Sequence, residues 1–202
     1  MADEHEGHEN DEIIVPQIME RRYVPASLKS VAWEGFNFVG HEIKIVESTD
    51  LYGAFVWPSA LVLCYFLEKH GKQLCIEDKN IIEIGSGTGL VAIVACLLGA
   101  QVVATDLEEL IGNLQYNILR NTKMKSDVVY NHPYLEELLE TLDHLCSENT
   151  TILWVMRFRK ENMLQENAFI QKFQKLFDME VIFDLPSLSI KLYRARRHNQ
   201  QK

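Results

Sequence analysis

No stretch of this chain approaches the roughly 20 consecutive apolar residues that a membrane-spanning helix needs. The first apolar cluster, Ile13-Ile14-Val15, is too short and too acidic on its leading flank to act as a secretory signal. Cysteine is scarce: Cys64, Cys75, Cys96 and Cys146 show no paired spacing and three of them sit in apolar helical runs. That pattern fits small buried hydrophobes in a reducing compartment, not a disulfide framework. The histidines, His5 and His8 included, lack metal-ligand spacing, so no metal is expected. Positive charge is in deficit. Twenty Lys and Arg stand against 29 Asp and Glu, a formal charge of −9, which argues against a nucleic-acid surface. The basic end formed by Arg194, Arg196, Arg197 and Lys202 is too short to reverse this. These absences predict a soluble monomer of the cytoplasm, with the nucleus as a second compartment and with neither membrane nor nucleic acid as partner.

Lys and Arg are also missing from the first twenty residues, which carry acids, Pro16 and few large apolar side chains before Ile13. Residues 1–22 therefore read as a disordered acidic lead, and residues 23–202 as one domain large enough for a substantial core.

The most informative stretch is Ile81-Ile82-Glu83-Ile84-Gly85-Ser86-Gly87-Thr88-Gly89, followed by the apolar run Leu90 to Leu98 and Gly99. It reads as strand, glycine turn, helix. Alternate glycines let the backbone turn sharply and approach a ligand where a Cβ would collide, and the helix that follows aims free N–H groups at the same place. Leu90 stands where the dinucleotide fingerprint needs its third glycine, which favours S-adenosylmethionine over NAD. A second strand, Ala100 to Asp106, ends in an acid about twenty residues past the glycines, where a carboxylate meets ribose hydroxyls. The plainer alternative is a structural turn beside a solvated acid.

Along the rest of the chain, Trp33, Phe36, Phe38, Ile43 and Ile45 around Gly40-His41 predict a small hairpin within Val31 to Val46. Trp57-Pro58 opens a helix that Gly71 ends, and Leu107, Leu110, Ile111, Leu114 and Ile118 recur at helical spacing. Pro133 starts a further helix, Thr150 to Met156 reads as a buried strand, and Ala168, Phe169, Phe173, Leu176 and Phe177 as one helix face. Glu180 to Leu185 and Leu188 to Tyr193 form a terminal hairpin around Pro186-Ser187. Alternating strands and helices imply an α/β, doubly wound, mostly parallel sheet with its ligand at the carboxyl ends of the strands.

The pattern Glu-x-Gly-x-Gly-x-Gly with a later strand-terminal Asp resembles the class I methyltransferases with their Rossmann-like sheet. The chain is similar in particular to the protein-lysine methyltransferases of the methyltransferase-like 21 family, nearest its E and C members. The residues that carry the likeness are Tyr52 to Pro58, Ile82 to Val91, Ala104 to Leu107, Gly112 to Asn117, and Ser126-Asp127-Val128-Val129-Tyr130. The resemblance implies that Trp57, Glu83, Gly85, Ser86, Gly87, Gly89, Asp106 and Ser126 bind S-adenosylmethionine. It implies that Asp127 and Tyr130 are catalytic residues lining a target-lysine channel, and that the substrate is a protein such as a chaperone or elongation factor 1-alpha. By residue type alone, Trp57 equally fits a core aromatic, Tyr130 packing, and Asp127 an acid beside a helix.

The chain departs from the family just before Ser126. Relatives place a third strand, an adenine-contacting loop with a Trp-Gly pair and most of a fourth strand there. Here Thr122-Lys123-Met124-Lys125 alone intervene, reaching at most about 14 Å. The chain thus looks like an exon-skipped or pseudogene-derived form whose sheet has lost the third and most of the fourth strand. Besides a lysine methyltransferase, two other functions fit: an interaction protein with impaired turnover, and a small-molecule methyltransferase.

Overall fold

The computed structural model describes residues 11–23, 33–48, 50–51, 53–122, 127–130, 135–159 and 163–198. The chain divides into two compact units, Met1–Pro16 with Pro133–Lys202, and Gln17–His132, where a single domain is expected from its length.

Of the lead expected to be disordered, residues 1–10 lie outside the described residues, whereas the part from Asp11 onward forms regular structure. Asp11–Met19 forms helix α1, which buries Ile14 and Ile18 one turn apart, and Arg22–Tyr23 forms strand β1. Acids in the first helical turn, Asp11 and Glu12, suit the positive end of a helix, so the composition that suggests disorder here supports the element. The hairpin follows as β2 (Glu34–Phe38) and β3 (His41–Ile45), antiparallel, with Phe38 opposite His41 across the two-residue turn Val39-Gly40. Phe36, Phe38, Ile43 and Ile45 are its buried face. Helix α2 (Pro58–His70) starts on proline, whose fixed φ and missing N–H suit a first helical position, and has Gly71 at its C-cap.

The glycine unit is β4 (Asn80–Ile84), α3 (Leu90–Leu97), β5 (Gln101–Asp106) and α4 (Glu108–Asn121). Strands β4 and β5 run parallel, and α3 packs against α2 and α4. The segment Asp127–Tyr130 is strand β6. It lies parallel to β5 with Val103 opposite Asp127 and Asp106 opposite Tyr130. The sheet order β4-β5-β6 thus places this segment as the third described strand, beside β5.

The other unit holds α5 (Leu135–Leu145), β7 (Ile152–Arg157), α6 (Met163–Phe173), β8 (Phe177–Leu185), a 3-10 turn at Pro186–Leu188 and β9 (Ile190–Arg197). Its sheet, β7-β9-β8, is antiparallel throughout, as is β1-β2-β3. Only one of the three described sheets is parallel, so the expected mostly parallel sheet is corrected to a parallel glycine unit with antiparallel sheets elsewhere. The terminal hairpin forms as predicted. The Trp154 ring lies 5.2 Å from Phe169, 5.4 Å from Phe173 and 5.6 Å from Tyr193, and Leu138, Leu139 and Leu142 of α5 pack on the same cluster. Strand β7 is half-buried along most of its length, Ala168 is exposed, and Phe177 begins β8 and not the end of a helix face.

Candidate functional site

Glycine turn and carboxylate meet at the carboxyl ends of β4 and β5. Gly85, Gly87 and Gly89 all have positive φ, at 71°, 53° and 84°. This left-handed backbone costs glycine nothing and a branched residue a great deal. The three glycines serve different ends. A Cβ on Gly85 would meet open space, so that position leaves room beside the turn; one on Gly87 would come within 2.9 Å of the Gly53 carbonyl oxygen. On Gly89 a Cβ would stand 2.7 Å from Leu114 and 3.2 Å from Ile118, so its bareness lets α4 approach α3.

Asp106 is buried and grips the turn directly: its Oδ2 accepts a hydrogen bond from the Gly87 N–H at 2.5 Å and its Oδ1 one from the Leu107 N–H at 2.7 Å. A carboxylate has about four lone-pair directions, so two remain for ribose hydroxyls. Ser86 is buried and crosslinks the strand ends: its hydroxyl donates to the Glu83 carbonyl and accepts from the Thr105 N–H, while the Thr105 hydroxyl donates to the Glu83 carbonyl at 2.9 Å.

Glu83 is the electrostatic oddity of the site. Burial pushes its carboxyl up to about 8. The Ser86 side chain and the Ala92 backbone N–H work against that shift with hydrogen bonds, and the Asp106 charge adds to it. Ala92 is the third residue of α3, whose cap Gly89 offers no side chain, so Glu83 supplies from the strand what a capping residue would. Among the described residues its Oε2 is sealed from solvent without a hydrogen-bond partner. A buried polar atom left open beside a glycine turn fits a polar ligand.

Trp57 sits at the N-cap of α2. Ser126 lies outside the described residues, as do the side chains of Asp127 and Tyr130. The backbone of β6 brings Tyr130 level with Asp106 but sets Asp127 at the far end of the strand, about 10 Å away at 3.3 Å per residue.

Sequence reading gives no role to Gly53 or to the asparagines of α4, although Gly53, Asn113 and Asn117 lie in stretches that carry the family likeness. Gly53 has φ of 115° and passes between Leu110 and Gly87. Asn113, Asn117 and Asn121 bond the backbone of the β3 edge at Val46 and Lys44. The available signal is three asparagines at four-residue spacing inside a helix, where that residue type is otherwise disfavoured. Among the described residues there is no cluster able to hold a metal ion, and no helix is long and apolar enough to cross a membrane.

A family model described as lysine methyltransferase matches residues 38–125 and 124–176. The chain is 54% identical over 225 aligned positions to protein-lysine methyltransferase METTL21E of Mus musculus, covering 96% of this chain and 91% of that one. It is 32% identical over 198 positions to protein N-lysine methyltransferase METTL21A of Mus musculus, covering 83% and 88%. Of solved structures, the T. thermophilus 16S rRNA N2 G1207 methyltransferase RsmC in complex with AdoMet and guanosine superposes with a TM-score of 0.61. That match has 15% identity over 87% of this chain and 53% of RsmC, a likeness of fold.

Proposed function

Because the chain belongs to the lysine methyltransferase family and to its methyltransferase-like 21 branch, we propose that it methylates a lysine side chain of a protein substrate, a chaperone or an elongation-factor-like protein. It is a methyltransferase and its cofactor is S-adenosylmethionine. Such substrates place it in the cytoplasm, with the nucleus as a second compartment, where it works as a monomer.

The observation that carries this reading is the grip of Asp106 on Gly87 at the mouth of three left-handed glycines. The residues present fit the cofactor. Gly85, Ser86 and Gly87 offer close backbone approach, Asp106 keeps acceptor capacity for a ribose diol, and Glu83 holds a buried oxygen without a partner beside the turn. Trp57, Gly89 and Ser126 complete the binding set in the family's manner. When bound, S-adenosylmethionine supplies an electrophilic methyl group. The chain's own task is to deliver a neutral amine. At pH 7, removing the proton of a lysine with reference pKa about 10.4 costs roughly 4–5 kcal/mol. Tyr130 and Asp127 are proposed to line the lysine channel, the ring and the carboxylate orienting the amine and stabilising nearby positive charge. The level position of Tyr130 and Asp106 supports the tyrosine's part.

A second reading, a protein of the same fold with weak turnover that acts through its contacts, is favoured by one observation. The alignment with mouse METTL21E runs over 225 positions, more than the 202 residues of this chain, and the family match breaks at residues 124–125. Incubating the protein with S-adenosylmethionine and a cytoplasmic chaperone, then mapping mass gains of one methyl unit by peptide mass spectrometry, tests the reading. A modified lysine supports it; an unmodified chaperone and elongation factor under conditions where METTL21A acts on its own substrate would refute the substrate class.

A further inference from the structure

Glycine turns are loosely determined by their own sterics, because each glycine visits both signs of φ freely. What holds this one in its left-handed shape must come from outside the turn. Asp106 fixes it from the ligand side through the Gly87 N–H. A second anchor lies on the opposite side. Thr88, the residue between Gly87 and Gly89, presents its carbonyl to the side-chain amide of Asn117 on α4, at 3.1 Å.

Asn117 is wholly buried, at 0% exposure, and its amide is saturated. Oδ1 accepts from the Val46 N–H at 2.8 Å, while Nδ2 donates to the Val46 carbonyl at 3.0 Å and to the Thr88 carbonyl, with Asn113 Oδ1 at 3.2 Å. Both donor hydrogens and the acceptor are therefore engaged, and no water reaches the position to replace them. One turn further along, the half-buried Asn121 bonds the β3 edge in the same manner, through the Lys44 N–H at 2.8 Å and the Lys44 carbonyl at 2.9 Å, donates also to the Asn117 carbonyl at 2.7 Å, and among the described residues makes no bond to the turn. The two residues bring the same chemistry from the same helix to the same strand, and differ in burial and in the bond to Thr88.

We propose that Asn117 is a positioning residue for cofactor binding, which holds the Thr88 peptide in place and so keeps the glycine turn in its binding shape before S-adenosylmethionine arrives. The proposal rests on the assignment of this turn to the cofactor. Its consequence is a coupling: β3 and the glycine turn share one amide, so loosening either loosens the other. Pre-forming a flexible binding loop raises affinity by removing the ordering cost from the binding step.

The test compares Asn117→Ala and Asn121→Ala by calorimetric titration with S-adenosylmethionine, each at a fixed interval below its own melting temperature, with amide hydrogen exchange read at Gly87 and Gly89. The expected result for Asn117→Ala is an affinity loss of about tenfold or more, the equivalent of one buried hydrogen bond, with faster exchange at both glycines. Asn121→Ala should bind within about twofold of the unaltered chain, although it too loses hydrogen bonds. Should Asn117→Ala fail to fold, Asn117→Asp keeps the acceptor for Val46 and loses the donors, and its affinity should fall in the same way. Equal losses from the Asn117 and Asn121 variants, or wild-type affinity in the Asn117 variants, would overturn the proposal. Failure of the unaltered chain to bind the cofactor would instead overturn the assignment of the turn, and faster glycine exchange in the Asn117 variant alone would still hold for the anchor.

Discussion

A single carboxylate at the end of β5 has two partners before any ligand is present. Because Asp106 already orders the Gly87 and Leu107 amides, Asp106→Ala removes the ribose contact and releases the turn together. Charged hydrogen bonds of this kind are worth about 1.5–3 kcal/mol, so the variant should bind S-adenosylmethionine tenfold or more weakly by calorimetry. Unchanged affinity would remove Asp106 from the site. Glu83 predicts a pH dependence with a definite sign. Its carboxyl ionises near 4.5 when unfolded and keeps its proton to about 8 when folded, chiefly because it is buried. Between those values the folded form holds a proton that the unfolded chain has released, so stability falls as pH rises. The group's contribution is full below 4.5 and lost as the pH passes 8. Thermal melts from pH 5 to 8 should show a steeper decline for the native chain than for Glu83→Gln; parallel curves would mean that Glu83 is ionised in the fold. The acid and the glycines were legible at this scale because their spacing is local. Asn117 and Gly53 were not, because their partners lie tens of residues away.

Among the elements, the hairpin and the helix at Trp57-Pro58 were readable from turn and capping residues, since Gly40 and Pro58 encode backbone angles by themselves. Helix α1 was hidden by its composition: acids dominate the count while Ile14 and Ile18, one turn apart, do the packing. The boundary between α6 and β8 was obscured for a related reason. Phe169, Phe173 and Phe177 keep a four-residue spacing across it, because the aromatic cluster continues after the helix stops. The β2–β3 turn offers a test of local design. Val39 holds φ of 54°, poor ground for a β-branched residue, next to Gly40 at 70°. Turns with both central residues left-handed favour Asn-Gly, so Val39→Asn should stabilise the protein by about 0.5–1 kcal/mol, read as a higher urea midpoint with an unchanged slope. A lower midpoint would show that the Val39 side chain's packing outweighs the strain at its backbone.

For the molecule as a whole, an α/β fold with a parallel glycine unit was legible from alternating patterns, whereas sheet composition was not. Which edge a strand joins depends on contacts that no local pattern encodes, and β6 beside β5 is the instance. Ile82, on a strand of the parallel sheet, is 51% exposed, although parallel sheets ordinarily bury both faces. The alignment with mouse METTL21E spans 225 positions against the 202 residues here, so inserting a strand–loop–strand segment of the family between Thr122 and Ser126 should raise both soluble yield and methyl transfer to a chaperone, measured side by side with labelled cofactor. Comparable turnover from the short chain would show that the added segment is dispensable. The asparagine ladder of α4 also sets the order in which this chain can be completed during synthesis. The bond between Val46 and Asn117 spans 71 residues. At about 5–20 residues per second, the β3 edge leaves the ribosome roughly 4–14 seconds before the amide that closes it. For that interval the nascent hairpin carries an open strand edge, a place where a holding chaperone can bind or a neighbouring chain can pair, and the arrival of α4 ends the exposure.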